Sequence, residues 1–598
     1  MGLFLAVATP LWALYLRHFA PTVALEDSGE MIRAALALGI THEPGYPLYV
    51  LAGHLAALLP VGCVAFRLNL VSATASALAA GTLACLARRL LLDPARPACA
   101  PAVAWGCAAA AGWALGLAPT IWWESMFAEK YAVSLLWFVL CLAVVVAMTR
   151  NERPAGVALA GLVLGLALAH HGQATYVLPG LAVALWVVAR RHATGTWTGA
   201  VIRMAIMGLL GFSVKLVSIP IRAAAHPWPD WNHPAVYERW ADYLSARTYH
   251  FRLFRWGVWG TSSRLIEHST TVLPDEFGWA AIVLAVAGLL WLIYRRQWRD
   301  LAWLLPGATG AVFAAGFGLV TVSLRLYYIP AFAVFVVLAA FGLARVAVLA
   351  RWRPVRMALA VAVVGWLGWR LADRVERADW SRYYLAHDNA RNLLDSAGEG
   401  SILVAHGDYA YFPVSFVRYV DRPESKTVVV MANALPPGAF PEQAKRIQLI
   451  YPPEEAAFAA KWPWGEDLMA FDPGKPVRFA VIFAAIERGA FVTCGQAYAP
   501  VRRQADLAPA SILKDRAWFR RWGRTRGLYD ARMPNDEHTR QLLVRYPFSD
   551  YWRARLLALH GRCAEAILLY RAVLASPPEW PVNRPGIVEG LRACGGRP

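Results

Sequence analysis

Asp27 and Glu30 stand three residues apart in EDSGEMIRAALALGITHEPGYPLY, a stretch from Glu26 to Tyr49 with apolar sequence on both sides. If Ser28 to Leu38 is helical, both carboxylates share one side of the helix start, where exposed amides favour negative charge. Carboxylates so placed can serve as general bases. The same spacing describes a helix cap, with Asp27 or Ser28 capping and Glu30 in the first turn. On the acids alone, capping and catalysis both stand. His42, Glu43, Pro44, Gly45, Tyr46 and Pro47 follow as a rigid turn into LYVLAGHLAALLP. At roughly 15 residues that apolar stretch is short for a span and suits a helix lying at the membrane interface.

Four more segments combine polar and aromatic residues. WWESMFAEKY carries Trp122, Trp123 and Glu124, then Glu129, Lys130 and Tyr131. The tryptophans read as an aromatic belt. Glu129 opens a membrane helix, and an ionisable residue at that depth is a candidate for a site inside the bundle. LAHHGQATY sets His170, His171 and Gln173 between two spans with almost no loop, a polar helix end that can take a phosphate or sugar hydroxyls. A loop of roughly 50 residues is too long to be a mere connector. Its HPWPDWNHPAVYERWADYLSARTYHFRLFRW, with Trp231 and Tyr249, reads equally as a membrane-surface helix or a substrate lid. SLRLYYIPA sets Arg325 at the outer end of a span, before Tyr327 and Tyr328. Arg325 either grips an anion, for which phosphate fits its bidentate fork, or snorkels to lipid headgroups.

Long apolar elements must hold these residues. The chain has 598 residues, 58% hydrophobic and 17% charged, with mean hydropathy +0.40, which excludes an ordinary soluble protein. Apolar runs predict about eleven transmembrane helices, near 2–20, 66–92, 100–120, 130–149, 155–170, 173–190, 200–220, 276–294, 300–323, 326–348 and 355–372. Alternate loops are rich in arginine, and retention of basic loops inside puts the N-terminus in the cytoplasm and everything after Ala372 outside. That parity gathers the five polar segments at the outer face. It also accounts for much of the net charge of +19 without a nucleic-acid partner. No clean small-residue cleavage motif follows the first apolar stretch, which is expected to be a helix rather than a signal peptide.

The eight cysteines have no metal-ligand spacing, so no metal is expected. Cys563 and Cys594, near the ends of one helical segment, are expected to pair if the outer region is oxidised. Strand-length apolar runs alternating with a helical stretch predict an α/β domain over 373–535. Helical periodicity over 536–598 suggests a tetratricopeptide-like segment for protein or peptide docking. Asp408, in HGDYAYFP, either binds an acceptor or caps a turn.

Taken in order, DSGE, HEPGYPLY, FRLNLVSA (Phe66 to Ala73), AEKY, AHHG, the WNHP...ERW loop and RLYYIPA resemble the bacterial relatives of an animal O-mannosyltransferase family that modifies IPT domains of plexins and receptor kinases. The resemblance spans roughly the first 350 residues. It implies a GT-C membrane glycosyltransferase in the bacterial inner membrane, with the catalytic acid in the first outer loop and a polyprenyl-phosphate sugar as donor. Asp27 is the expected base, with Glu30 as partner or alternate. His42, His170, His171, Arg325 and Tyr328 are expected around the donor or its phosphate, and Glu43, Tyr46, Glu129, Tyr131, Trp231 and Tyr249 around substrate. Partners are then membrane lipids, the donor, and a protein or glycan acceptor hydroxyl receiving a hexose, mannose on the resemblance. The sequence requires no cofactor, and it leaves metal dependence open. The family pattern reads HPPGYPLY, whereas this chain has Glu43 at the first proline, an extra acid that bears on acceptor or donor choice. The rival from another class, a transporter or flippase of a lipid-linked sugar, predicts ionisable residues in mid-span and an internal repeat. Lys215 is such a charge; no repeat stands out.

Overall fold

The apolar runs fold as helices in a computed structural model of the chain. The structure describes residues 1–94, 97–151, 155–190, 194–296, 298–318, 324–431, 449–450, 474–480, 491–494, 496–500, 509–526, 528, 537–543, 545–577, 580 and 582–597. Two compact units result. Met1–Phe19, Leu38–Pro227 and Pro234–Ser381 make the first, and Ala20–Ala37, Trp228–His233 and Arg382–Pro598 make the second. The change of composition near Ala372 comes shortly before the first unit ends at Ser381.

Among the described residues seven helices are long and apolar enough to cross a membrane, or eight if the bent pair Pro101–Gly116 and Pro119–Ser125 is one span. The other expected spans are helices too, Gly2–His18, Ala155–His170 and Leu301–Gly316, but of only 16 or 17 residues. A perpendicular crossing takes about 20. The run expected over 276–294 is the end of a longer helical stretch, Gly257–Arg295. That stretch contains a π-turn at His268–Val272 and a kink at Gly278. The run expected over 300–323 is helical to Gly316, and 319–323 lie outside the described residues.

Glycine lets several of these helices touch backbone to backbone. A Cβ on Gly161 would fall 2.1 Å from the Met204 carbonyl oxygen, and one on Gly165 2.1 Å from that of Gly208, so helix Ala155–His170 lies directly on helix Thr194–Ala224. Gly288 and Gly342 pack Leu273–Arg295 against Ile329–Leu349 in the same way, with Cβ positions 2.2 Å and 1.9 Å from carbonyl oxygens. Lipid tails are as apolar as leucine and give helices little hydrophobic reason to associate, so close van der Waals packing of small residues carries the contact. The short helix Pro47–Ala57 exposes Leu51 and Leu55. The Arg67 guanidinium closes its far end by donating to the Ala57, Val61 and Gly62 carbonyls.

In the second unit, a five-stranded sheet runs Val428–Met431, Ile402–Ala405, Val477–Phe479, Ala497–Pro500, Phe491–Cys494, with the first three parallel. Residues 481–486, expected to continue a strand, lie outside the described residues. The C-terminal helices Arg545–Leu559, Cys563–Leu574 and Arg584–Ala593 share one apolar core that includes Ile512 from the preceding helix Pro509–Trp522. Arg516 pairs with Asp550 and Arg553 with Asp515, so this helical segment is bound to what precedes it. Cys563 and Cys594 lie side by side, with their sulfurs 2.6 Å apart.

Candidate active site

Four of the singled-out segments meet inside the first unit. Helix Lys130–Asn151 begins at a turn whose backbone is held by the neighbouring helix Val64–Leu91. Asn69 Oδ1 accepts the Ala128 N–H at 2.7 Å, and Ser72 Oγ accepts that of Glu129 at 3.1 Å. This gives FRLNLVSA a physical role. Asn69 and Ser72 fix the AEKY turn. The Glu129 carboxylate caps the new helix by accepting the Lys130 N–H at 2.8 Å, and also holds the Lys130 ammonium at 3.2 Å, both side chains being 3% exposed.

That ammonium faces two aromatic rings, with Nζ 4.6 Å from the Tyr131 centroid and 5.4 Å from that of Tyr46. Tyr46, the last residue of HEPGY, precedes helix Pro47–Ala57 and hydrogen-bonds His42 Nε2 at 3.1 Å. Its ring stacks on His171, centroids 5.6 Å apart, and His171 also meets Tyr131. His170 Nε2 hydrogen-bonds the Lys130 carbonyl at 3.2 Å, while its buried Nδ1 has no partner among the described residues. Gln173 donates to the Leu326 carbonyl at 3.2 Å and Tyr327 packs on Tyr131, bringing in RLYY. His42, Tyr46, Glu129, Tyr131, His170 and His171 thus form one cluster, with Lys130 at its centre. Sequence reasoning left Lys130 out of the expected site, although its signal, an ionisable residue opening a membrane helix, was the one that singled out Glu129.

The remaining expected residues make other contacts. Glu43 accepts the Thr248 N–H at 3.1 Å, and Tyr243 donates to the Thr41 carbonyl at 2.5 Å, so the long loop is pinned to the HEPGY turn. Tyr249 lies in the short helix Arg247–Arg252, its ring 5.5 Å from the Arg252 guanidinium. Arg325 pairs with Asp275 and is 3.7 Å from buried Glu276. Glu276 accepts the Thr120 N–H at 3.1 Å and its hydroxyl, satisfying the start of the bent helix Pro119–Ser125. Tyr328 stacks face to face on His268 of the π-turn, centroids 3.8 Å apart.

Asp27, Glu30 and Trp231 belong to the second unit. Asp27 precedes helix Ser28–Ala37 and is half-buried, whereas Glu30, in its first turn, is 1% exposed. The helix lies against Asp408–Phe416, and a Cβ on Gly29 would fall 2.2 Å from the Phe412 carbonyl oxygen. The glycine of DSGE is therefore a packing requirement. Trp231 packs on Phe412, and the buried Arg33 guanidinium lies between the rings of Trp228 and Tyr419 at 4.9 and 4.7 Å.

Residues 27–195 match the family model described as the Protein O-mannosyl-transferase TMEM260 N-terminal domain. Protein O-mannosyl-transferase TMEM260 of Mus musculus is 27% identical over 430 residues, which are 67% of this chain and 59% of the mouse protein. The chain thus spans somewhat over half of that relative's length. Among solved structures, ArnT from Cupriavidus metallidurans in the apo state aligns with TM-score 0.50 and 14% identity, covering 83% of this chain and 96% of that one. The same protein bound to undecaprenyl phosphate aligns with TM-score 0.45 and 16% identity, covering 72% and 89%. The chain is a polytopic membrane protein of GT-C fold, similar in its N-terminal part to protein O-mannosyl-transferases.

Proposed function

We propose that the protein is a membrane glycosyltransferase that moves a hexose, mannose on the family likeness, from a polyprenyl-phosphate sugar to an acceptor hydroxyl, a protein serine or threonine being first choice. The observation that carries this reading is the buried Lys130 ammonium between the rings of Tyr46 and Tyr131, within the residues that match the family model. Ring faces hold an ammonium by roughly 0.5–2 kcal/mol each. A phosphate makes stronger charge-assisted hydrogen bonds and would displace them.

In the proposed reaction the acceptor oxygen attacks the anomeric carbon while the bond to the phosphate oxygen breaks. The phosphate leaves with the electron pair. Its charge is already negative, so stabilisation by Lys130, with His170, His171 and His42 near it, replaces protonation by a strong acid. The hydroxyl proton goes to the Asp27 carboxylate, with Glu30 as partner. Direct attack inverts the anomeric centre. The basic loops argue for a cytoplasmic N-terminus and chemistry at the outer face of a bacterial inner membrane.

Transfer from defined polyprenyl-phosphate sugars by purified protein tests the proposal. Asp27→Asn is expected to lower kcat by at least about 100-fold, as loss of a general base does, with Glu30→Gln weaker or equal. Full turnover in both variants would sink the assignment.

A further inference from the structure

The chain leaves strand Ile402–Ala405 for the neighbour Val428–Met431 on one side, and later returns to Val477–Phe479 on the other, all three strands being parallel. The carboxyl end of Ile402–Ala405 is therefore a topological switch point, where open α/β sheets bind ligands. His406 and Gly407 follow at once, and helix Asp408–Phe416 opens there. Gly407 holds φ 75°, and a Cβ on it would meet the Tyr409 ring at 2.7 Å.

A cation is buried at the same place. The Arg545 guanidinium carbon lies 5.4 Å from the Tyr409 ring centroid, and the residue is 8% exposed. Its Nη1 reaches Asn389 Oδ1 at 3.5 Å. Among the described residues its Nη2 has no hydrogen-bond partner and its guanidinium no carboxylate. Asn389 is buried as well, and its Nδ2 is without a partner among the described residues. Burial lowers the Arg545 pKa, partly offset by Tyr409, Tyr498 and Tyr546, and the His406 pKa is lowered by burial and by Arg545. A charge shut away without counter-charge is strongly unfavourable. Two buried donors without acceptors, at a helix start and a switch point, ask for an anion.

We propose that this part of the second unit binds an oxyanion, the carboxylate or phosphate group of a small acidic ligand, with Arg545 Nη2 and Asn389 Nδ2 as donors. The inference stands apart from the glycosyl-transfer reading. Thermal unfolding of the full-length protein in detergent tests it, titrating inorganic phosphate, glucuronate or neutral glucose at constant ionic strength. Phosphate, glucuronate or both should raise the unfolding temperature saturably, which of them does so telling phosphate from carboxylate, and glucose should not. Arg545→Met should abolish the rise, yet unfold without ligand no earlier than wild type, because the uncompensated charge is gone. Asn389→Leu should raise the half-saturating concentration about tenfold. The proposal is overturned if neither anion shifts unfolding, or if the shift persists in Arg545→Met. Should Arg545→Met fail to fold, an unchanged half-saturation in Asn389→Leu overturns it instead.

Discussion

The Glu129–Lys130 pair should behave as one energetic unit. At 3.2 Å, and with an effective dielectric of about 20, the attraction is about 5 kcal/mol. Desolvation of two ions offsets much of that. Removing one partner alone leaves a buried charge and costs about 3–5 kcal/mol. Glu129→Gln keeps an oxygen for the Lys130 N–H, so its cost comes mainly from the ammonium's loss of the Glu129 charge, while the Tyr46 and Tyr131 rings stay in place. Lys130→Met takes the ammonium away from the buried Glu129 carboxylate. The double variant removes both charges together, and should be destabilised by about 3 kcal/mol less than the sum of the two singles, a coupling within the range of contacting residues. Unfolding in detergent is best compared at one fixed scan rate, because its midpoint is partly kinetic. Each single variant should unfold well below wild type, with the double variant recovering much of the loss. The same double variant should lose transfer from the lipid-phosphate donor, since the proposed phosphate ligand is gone. Losses that add would refute the pairing, and wild-type transfer by the folded double variant would refute the role given to Lys130.

Two further outcomes follow from packing and charge. Gly165→Ala should destabilise the first unit by about 1–3 kcal/mol or more, because its Cβ meets the Gly208 carbonyl rather than a side chain that can move. Gly156→Ala, with nothing within 4 Å of its Cβ, is the neutral control in the same unfolding assay. In the second unit His387 bonds Asp421 at 2.8 Å and Asp388 at 3.4 Å; burial would lower its pKa, but these carboxylates carry it above the usual histidine value. Its contribution is full below about pH 6.5 and is lost as pH rises through the raised folded value. Burial works to raise the Asp388 pKa, yet His387 and Arg526 hold it below the usual range, so its contribution persists above about pH 3.9 and is lost as pH falls through the depressed value. His387→Phe should flatten unfolding temperature against pH above about 6.5, and an unchanged slope there would refute the linkage.

What could be read from the sequence divides along a physical line. A membrane helix satisfies its own backbone and must be long and apolar, so its signal is local, and every expected span is a helix over at least part of its length. The cluster around Lys130 was legible for a related reason. Ionisable and hydroxyl-bearing residues are costly at membrane depth, so HEPGY, AEKY, AHHG and RLYY stood out against apolar surroundings before any contact was known. The pairings that complete those motifs left no such mark. Asn69 and Ser72 read as ordinary small polar residues of a span, and only their hydrogen bonds to Ala128 and Glu129, more than fifty positions on, give them a task. Likewise Asp275 and Glu276 gain significance from Arg325 and Thr120 through contacts that no local periodicity encodes. The apolar background is also what failed in the second unit. In a water-facing fold polar residues are common, so Arg545, at the head of an amphipathic helix, looks like any surface arginine until its burial beside Asn389 is seen. DSGE shows both effects in four residues. Its acids fit a cap as well as catalysis by type and place, while its glycine is dictated by the Phe412 carbonyl, nearly four hundred residues away in the chain. A motif read as catalytic is therefore partly a packing motif, and on the proposed assignment of Asp27 and Glu30 substitution at Gly29 should lower transfer by displacing them rather than by altering their chemistry.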